Sequence, residues 1–153
     1  MACAPSSLIL AKHFTPISKA LVAKDDMSAI SKIVEKLKKY PELDYEQDEG
    51  IISVNPVNGF TVWLAENENG YTVGYSGWHD EFTELEEALN CFAFGLSNKC
   101  RLKVFKRGSY EYKWVVQALN ENEWYDDSET GLLFFPFWRK KEVSILQNAI
   151  IGN

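Results

Sequence analysis

The chain has 153 residues, of which 46% are hydrophobic and 14% aromatic, a composition typical of globular proteins that bury a core of their own. Its net charge of −6 and pI near 5.0 argue against general polyanion binding, because phosphate backbones are bound by summed positive charge. No apolar run has the length that a membrane-spanning helix needs, and we therefore expect a cytoplasmic protein with no membrane partner.

Residues 1–26 are predicted to form a loosely ordered extension, and residues 27–153 a single domain. The extension contains no acidic residue before Asp25, and its main apolar run is Leu8-Ile9-Leu10. It lacks the charged start and the long apolar region of a targeting signal. A short helix over residues 17–24 that docks on the domain is the alternative.

The first helix is predicted over residues 27–40, where apolar side chains repeat at steps of three and four and lysines occupy the other side. Asp25 or Asp26 is placed to cap its start, and Pro41 marks its end. Five acidic side chains follow within residues 42–49, which argues against membrane binding by the lysine-rich face.

An antiparallel sheet is predicted to begin with three strands, over residues 50–55, 60–64 and 71–76. The turn sequences between them contain Gly59 and Gly70. Hairpin connections make neighbouring strands antiparallel, so we do not expect a doubly wound nucleotide-binding fold.

A central helix is predicted over residues 83–96, with Thr83 and Glu86 as a capping box. Its large apolar residues fall on one face at steps of three and four. These are Phe82, Leu85, Leu89, Phe92 and Leu96. Cys91 and Phe94 project from the opposite face and need a cover, which either the C-terminal helix or a second subunit would provide.

The remaining chain predicts further strands and a last helix. Residues 100–105 and 110–119 form a hairpin, and acidic loops flank Trp124 and Tyr125. Residues 132–138 are apolar on both faces and predict a buried strand, and residues 142–151 predict a short helix. The expected fold class is α+β. An antiparallel sheet of about five or six strands packs on the central helix, and the N- and C-terminal helices flank it.

The three cysteines do not have the spacing of metal ligands, and an odd number argues against a disulfide framework. We expect Cys91 and Cys100 to be reduced, buried small hydrophobes. A bridge between them stays open, because a helix end and the following strand can lie close together. No motif implies a metal or a cofactor.

A polar cluster at the start of the central helix is the candidate small-molecule site. Its histidine can serve as a general base, and its aromatic rings and carboxylates suit ligand binding. The residues are Tyr75, Trp78, His79, Asp80, Glu81 and Arg139. The nearby sequence 74–77 resembles a nucleophile elbow, but Trp78 occupies the position of its last glycine. No reaction class follows, so catalysis stays open and a non-catalytic role is favoured.

The basic hairpin over residues 99–114 is a candidate surface for single-stranded nucleic acid. Cations and aromatic rings alternate there, and such a face can pair phosphates and stack bases. The residues are Arg101, Lys103, Phe105 and Tyr112. The negative net charge favours instead a solvated face, whose cations pair with acidic side chains. Those acids are Glu121, Glu123, Asp126 and Asp127.

The leading hypothesis is a non-catalytic protein that acts by self-association, as a homodimer, or by binding a protein partner. It depends on apolar side chains that exceed the needs of one small core. The candidate interface residues are Cys91, Phe94, Phe135, Phe137 and Trp138. Small-molecule binding is the second hypothesis, and nucleic-acid binding the third.

Overall fold

A computed structural model describes residues 27–152, and 48% of the described residues lie in strands against 17% in helices. We number the elements of this part of the chain in chain order. The helices are α1 (Ala29–Leu37) and α2 (Leu85–Leu96). The strands are β1 (Tyr45–Asp48), β2 (Ile51–Val54), β3 (Val62–Asn67), β4 (Gly70–Tyr75), β5 (Trp78–Phe82), β6 (Cys100–Arg107), β7 (Tyr110–Asn120), β8 (Glu123–Gly131) and β9 (Lys141–Leu146).

The first five strands form an antiparallel sheet whose spatial order follows the chain, from β1 to β5. Tight turns join β1 to β2 and β3 to β4. They contain Gly50 and Gly70, which both have positive φ angles, of 74° and 147°. Only a short turn precedes β5, so the whole sheet forms by successive local pairing.

The last four strands form a second antiparallel sheet in the order β8-β7-β6-β9. The β6–β7 hairpin is its centre, and β8 and β9 are its edges. The pairing of β7 with β8 shifts register next to Gln117, which pairs with Asp126, whereas Val116 pairs with Ser128. Asp127 is therefore the extra residue of a β-bulge, and a bulge of this kind re-aims a side chain.

Both sheets and both helices contribute to one apolar core. Helix α2 contacts β3, β4 and β5 of the first sheet and also β6 of the second, and β5 contacts β7 and β8. The side chains of Leu64 and Tyr75 from the first sheet and of Leu102 and Val116 from the second are fully buried in this core. The two sheets therefore depend on each other for burial.

The expected fold class was wrong. The chain forms two antiparallel sheets and not one sheet on a central helix, and residues 142–151 do not form a flanking helix. Residues 141–146 are strand β9, because β-branched Val143 and Ile145 pair with β6 in register. The residues that follow run along the end of α2, where the amides of Ile150 and Ile151 donate to the Leu96 carbonyl.

The predicted buried strand over residues 132–138 was also wrong. The backbone leaves β8 at Gly131 and turns, and most of the segment is exposed. The acidic sequence before it, expected as loops around Trp124 and Tyr125, is strand β8. Because β8 already occupies the edge of β7, residues 132–138 find no strand to pair with there.

The residues at the N-caps of both helices differ from the predicted ones. The Ser28 hydroxyl caps α1 and accepts from the Ser31 amide at 3.2 Å. Asp25 and Asp26, like the predicted extension over residues 1–26, lie outside the described residues. Glu84 occupies the N-cap position of α2 and makes no side-chain cap, so the capping box of Thr83 and Glu86 does not form.

Candidate interaction surface

The predicted ligand site at residues 78–81 is divided between the two faces of β5. Successive side chains of a strand point to opposite sides, so Trp78 enters the core and His79 and Glu81 are exposed. Trp78 stacks on Tyr75 with ring centroids 4.7 Å apart, and both rings are buried. The aromatic wall and the histidine thus lie on different sides of the sheet.

Asp80 faces the junction between the two sheets. Its Oδ1 accepts from the Glu81 amide at 2.9 Å, while its buried Oδ2 has no hydrogen-bond partner in the described part of the chain. Burial raises the pKa of Asp127 above its ordinary value, and the negative charge of Asp80 raises it further. Asp80 and Asp127 thus lie close enough at this junction for their charges to interact.

Arg139 lies elsewhere, beside the β6–β7 turn. Its side chain approaches Gly108, and its carbonyl accepts from Nη1 of Arg107 at 3.0 Å. The six predicted ligand residues are therefore spread over the core, the outer face of the first sheet and a turn of the second. The small-molecule hypothesis stays a prediction, without a common site that these residues share.

The basic hairpin is neutralised by its neighbours. Arg101 and Lys103 lie on the outer face of the second sheet, as does Phe105. Arg101 donates to Gln117 at 2.7 Å and lies over the Trp124 ring at 4.2 Å. Tyr112, by contrast, is buried.

Ion pairs join the cations of this face to acids of β7 and β8. Lys103 is 3.2 Å from Asp126, Lys113 is 2.7 Å from Glu129, and Lys106 is 3.0 Å from Glu111. A hydrogen bond from Gln117, assisted by Lys103, holds the pKa of Asp126 below its ordinary value. The surface is thus a mixed-charge face, which offers little free positive charge to a phosphate backbone.

Two of the predicted interface residues belong to the core. Cys91 is buried, and its carbonyl accepts from the hydroxyl of Tyr75. Phe94 is partly buried and packs against the core. The rear of α2, for which we expected either the C-terminal helix or a second subunit as the cover, packs against the core of the chain itself.

The other three interface residues lie in an exposed loop that we call the aromatic segment, residues 132–138. Phe135 anchors it by stacking on Tyr112 at 4.2 Å. Backbone bonds from Leu132 to Tyr112 and from Arg139 to Pro136 fix its ends. The remaining large side chains point to solvent, with exposed fractions of 90% for Leu133, 87% for Phe134, 71% for Phe137 and 73% for Trp138.

Edge strand β9 carries further exposed apolar side chains. Val143 and Ile145 on its outer face are 48% and 54% exposed, and Tyr110 contributes a further exposed ring. The sequence analysis did not identify Val143 and Ile145 as surface residues of a strand, because residues 142–151 were predicted to form a helix. The alternation of β-branched residues at positions 143 and 145 is the signal that could have identified them.

Cations border the aromatic segment on one side. Register places Lys141 of β9 opposite Arg107 of β6, and the Gly108 amide donates to the Lys140 carbonyl. Lys106, Arg107, Arg139, Lys140 and Lys141 are thus near one another. Glu111 and Glu142 are the acids beside them, the second 3.9 Å from Lys140.

Within residues 27–152, no group of three or more histidine, cysteine or acidic side chains is arranged to hold a metal ion. The two helices in this range are both too short to cross a membrane. Comparisons with protein-family models, with curated proteins and with solved structures found no match.

Proposed function

We propose that this is a non-catalytic binding protein whose docking surface is the aromatic segment together with the outer face of β9. The observation that carries the proposal is the exposure of Leu133, Phe134, Phe137 and Trp138 side by side in one loop. Contiguous exposed apolar side chains of this size are typical of protein interaction sites, and aromatic residues are enriched at interfaces. The occupant is either a second copy or another protein.

The apolar side chains supply a substantial part of the binding free energy. Burying four large side chains gives roughly 6–12 kcal/mol, at about 1.5–3 kcal/mol each. Association costs about 4–15 kcal/mol in lost freedom, so apolar burial alone is comparable to the cost. The charges beside the segment then decide which partner binds.

The anchored backbone supports docking as a preformed surface. Stacking of Phe135 on Tyr112 and the backbone bonds at both ends hold the segment before any partner arrives. A surface ordered in advance loses less conformational entropy on binding. We place this role in the cytoplasm, because the cysteine spacing lacks the framework of a secreted, disulfide-rich protein.

Site-specific photocrosslinking in the source organism tests the proposal. A benzophenone amino acid is placed at position 134 or 137, and at Asn122 in the exposed β7–β8 turn as the control. We expect discrete adducts from the first two positions and none from the third. The adduct mass tells a second copy from another protein. Adducts at positions 134 and 137 no stronger than those at 122 would refute the proposal.

A further inference from the structure

The edge of the first sheet has a charge opposite to that of the aromatic segment. Five carboxylates lie within residues 42–49, and no cation occurs from residue 41 to residue 59. All four residues of β1 are exposed, and no described residue forms an ion pair with any of the five acids. We call residues 42–51 the acidic edge.

The acidic edge also carries exposed apolar side chains. Tyr45 of β1 and Ile51 of β2 are both exposed, and Val57 lies exposed outside this range, in the loop that follows β2. Register places Ile51 opposite Asp48, on the sheet face that Glu46 shares, whereas Tyr45 is opposite buried Val54 and lies on the other face. Ile51 beside these carboxylates complements a surface with apolar groups beside cations. The aromatic segment with Arg139, Lys140 and Lys141 is a surface of that kind.

Both surfaces lie at sheet edges. Strand β1 is an edge strand of the five-stranded sheet and β9 is an edge strand of the four-stranded sheet, and each pairs with one neighbour in the described part of the chain. Alternate backbone groups along such an edge can accept a further strand. The two edges belong to different sheets, so both can be occupied at once.

We propose that the protein self-associates head to tail, with the aromatic segment and β9 of one copy docked on the acidic edge of the next. This inference rests on the proposed function, because it uses the same docking surface and names its occupant as a second copy. Each added copy leaves one surface of each kind unused, so the assembly extends copy by copy, until a ring closes where the rotation between copies allows it.

Charge disfavours the symmetric alternative. A twofold contact between two aromatic segments would bring Arg139, Lys140 and Lys141 against their own counterparts, and like charges across an interface disfavour it. In the head-to-tail contact the same cations meet the carboxylates of the acidic edge. Salt weakens this attraction, because the screening length falls from about 10 Å at 0.1 M to about 3 Å at 1 M.

Two charge-reversed variants of the full chain test the proposal by light scattering. The first carries Arg139→Glu, Lys140→Glu and Lys141→Glu, and the second carries Glu46→Lys, Asp48→Lys and Glu49→Lys. We expect the wild-type mass to rise with concentration in 50 mM NaCl and to fall in 500 mM NaCl. Each variant alone should stay monomeric, with association at least about tenfold weaker.

An equimolar mixture of the two variants is the decisive measurement. Each variant keeps one intact surface, and the two reversed surfaces are again opposite in charge, so the mixture should recover the concentration-dependent association that each variant alone has lost. Glu121→Lys in the β7–β8 turn with Glu123→Lys at the start of β8, both exposed, is the control and should associate like the wild type. Circular dichroism melts of all variants establish that they are folded.

Should a triple variant unfold, a neutral double variant replaces it. Lys140→Gln with Lys141→Gln replaces the first triple variant, and Glu46→Gln with Asp48→Asn replaces the second. With both neutral pairs, each variant alone should associate measurably more weakly than the wild type.

A monomeric wild type, or a mixture in which the two variants stay monomeric, would overturn head-to-tail association. So would a closed dimer that neither charge reversal weakens. With the neutral pairs, association of either variant at wild-type strength would overturn it equally. If photocrosslinks from position 134 join a different protein while the chain stays monomeric, the proposed function stands and this inference fails. If neither position 134 nor position 137 gives adducts stronger than those at position 122, both fail.

Discussion

Neighbouring carboxylates on β8 have pKa values shifted in opposite directions. Asp126 lies on the outer face of the second sheet, where the hydrogen bond from Gln117 and the charge of Lys103 lower its pKa. Asp127 is the bulge residue, and burial together with Asp80 raises its pKa. One inserted residue in a strand therefore places two identical groups in opposite environments.

We predict that Asp127→Asn stabilises the fold at pH 7 and Asp126→Asn destabilises it. A raised pKa in the folded state means that stability falls as pH rises above the ordinary value near 3.8, and Asn removes that loss. A lowered pKa means that stability is present above the ordinary value and is lost below it. Solvent screening keeps each effect below about 1 kcal/mol.

Urea unfolding of both variants from pH 3 to pH 7 measures this pair of effects. The difference between Asp127→Asn and wild type should shrink toward zero as the pH falls through 3.8. The same sign of effect for both variants at pH 7 would contradict the assignment of the two carboxylates to opposite faces.

Gly95 tests a competition between helix propensity and packing. Alanine is favoured over glycine in a helix by about 1 kcal/mol, but a β-carbon at Gly95 would overlap the ring of Tyr75. That ring is fully buried, stacked on Trp78 and hydrogen-bonded to Cys91, so it cannot move aside. Overpacking costs about 1–3 kcal/mol, and we expect Gly95→Ala to be destabilising by about 1 kcal/mol.

Asn90→Ala on the exposed side of α2 is the matched control for this measurement. This substitution raises the helix propensity without making a new contact, and it should stabilise the fold by about 0.5 kcal/mol. Thermal unfolding followed at 222 nm compares the two variants. Stabilisation by Gly95→Ala would mean that α2 and Tyr75 pack less closely than this structure has them.

At the scale of elements, the aromatic segment has one aromatic ring that stacks on the sheet and several large side chains that are exposed to solvent. Phe135 stacks on Tyr112, whereas Phe134 next to it is almost fully exposed. Adjacent residues of the same type thus have separate roles. Phe135 holds the loop, and Phe134 presents a surface.

We therefore predict that Phe135→Ala and Phe134→Ala have different effects on stability. Loss of a half-buried stacked ring should cost about 1–2 kcal/mol, and loss of an exposed ring less than about 0.5 kcal/mol. Urea unfolding at pH 7 gives both values in the monomeric concentration range. Equal costs would show that the loop is not anchored through Phe135.

At the scale of the whole molecule, the two sheets and two helices share one core. Buried side chains of β3 and β4 belong to the same cluster as those of β6 and β7. In the described part of the chain, neither sheet packs against an apolar layer outside this shared core. We infer that the sheets fold as one cooperative unit, and the single domain over residues 27–153 stays a prediction.

A single unfolding transition is the expected result. Trp78 reports on the first sheet and Trp114 on the second, and both rings are buried. Fluorescence of the variants Trp78→Phe and Trp114→Phe, compared with the loss of circular dichroism in urea, should give coincident midpoints. Separate transitions would divide the chain into two units and would contradict the shared core.

The sequence predicted the interior of both sheets and missed their edges. Strands β2, β3, β4, β6 and β7 agree with predicted strands to within a few residues, and each is flanked by strands on both sides. The missed strands β1, β5, β8 and β9 are the four edges. An edge strand has less burial, so its sequence keeps polar residues and its hydrophobic alternation is weak.

The sequence analysis named Phe135, Phe137 and Trp138 as interface residues, but it also predicted that residues 132–138 form a buried strand. An apolar run such as residues 132–138 is compatible with a buried strand and with an exposed docking loop, and only the available pairing partners distinguish them. Likewise, the polar residues at 78–81 looked like one site because the chain was taken to enter a helix there. Strand alternation separates them.

Local periodicity by itself determined the two helices and the interior hairpins, because those patterns depend on neighbours a few residues apart. The tertiary structure alone decided which strand covers each edge, and hence that β8 excludes the aromatic segment from the sheet. It also decided that the two ends of the sheets carry opposite charge. Strands that are distant in the sequence compete to pair at the same sheet edge, and no local sequence pattern shows which of them pairs there.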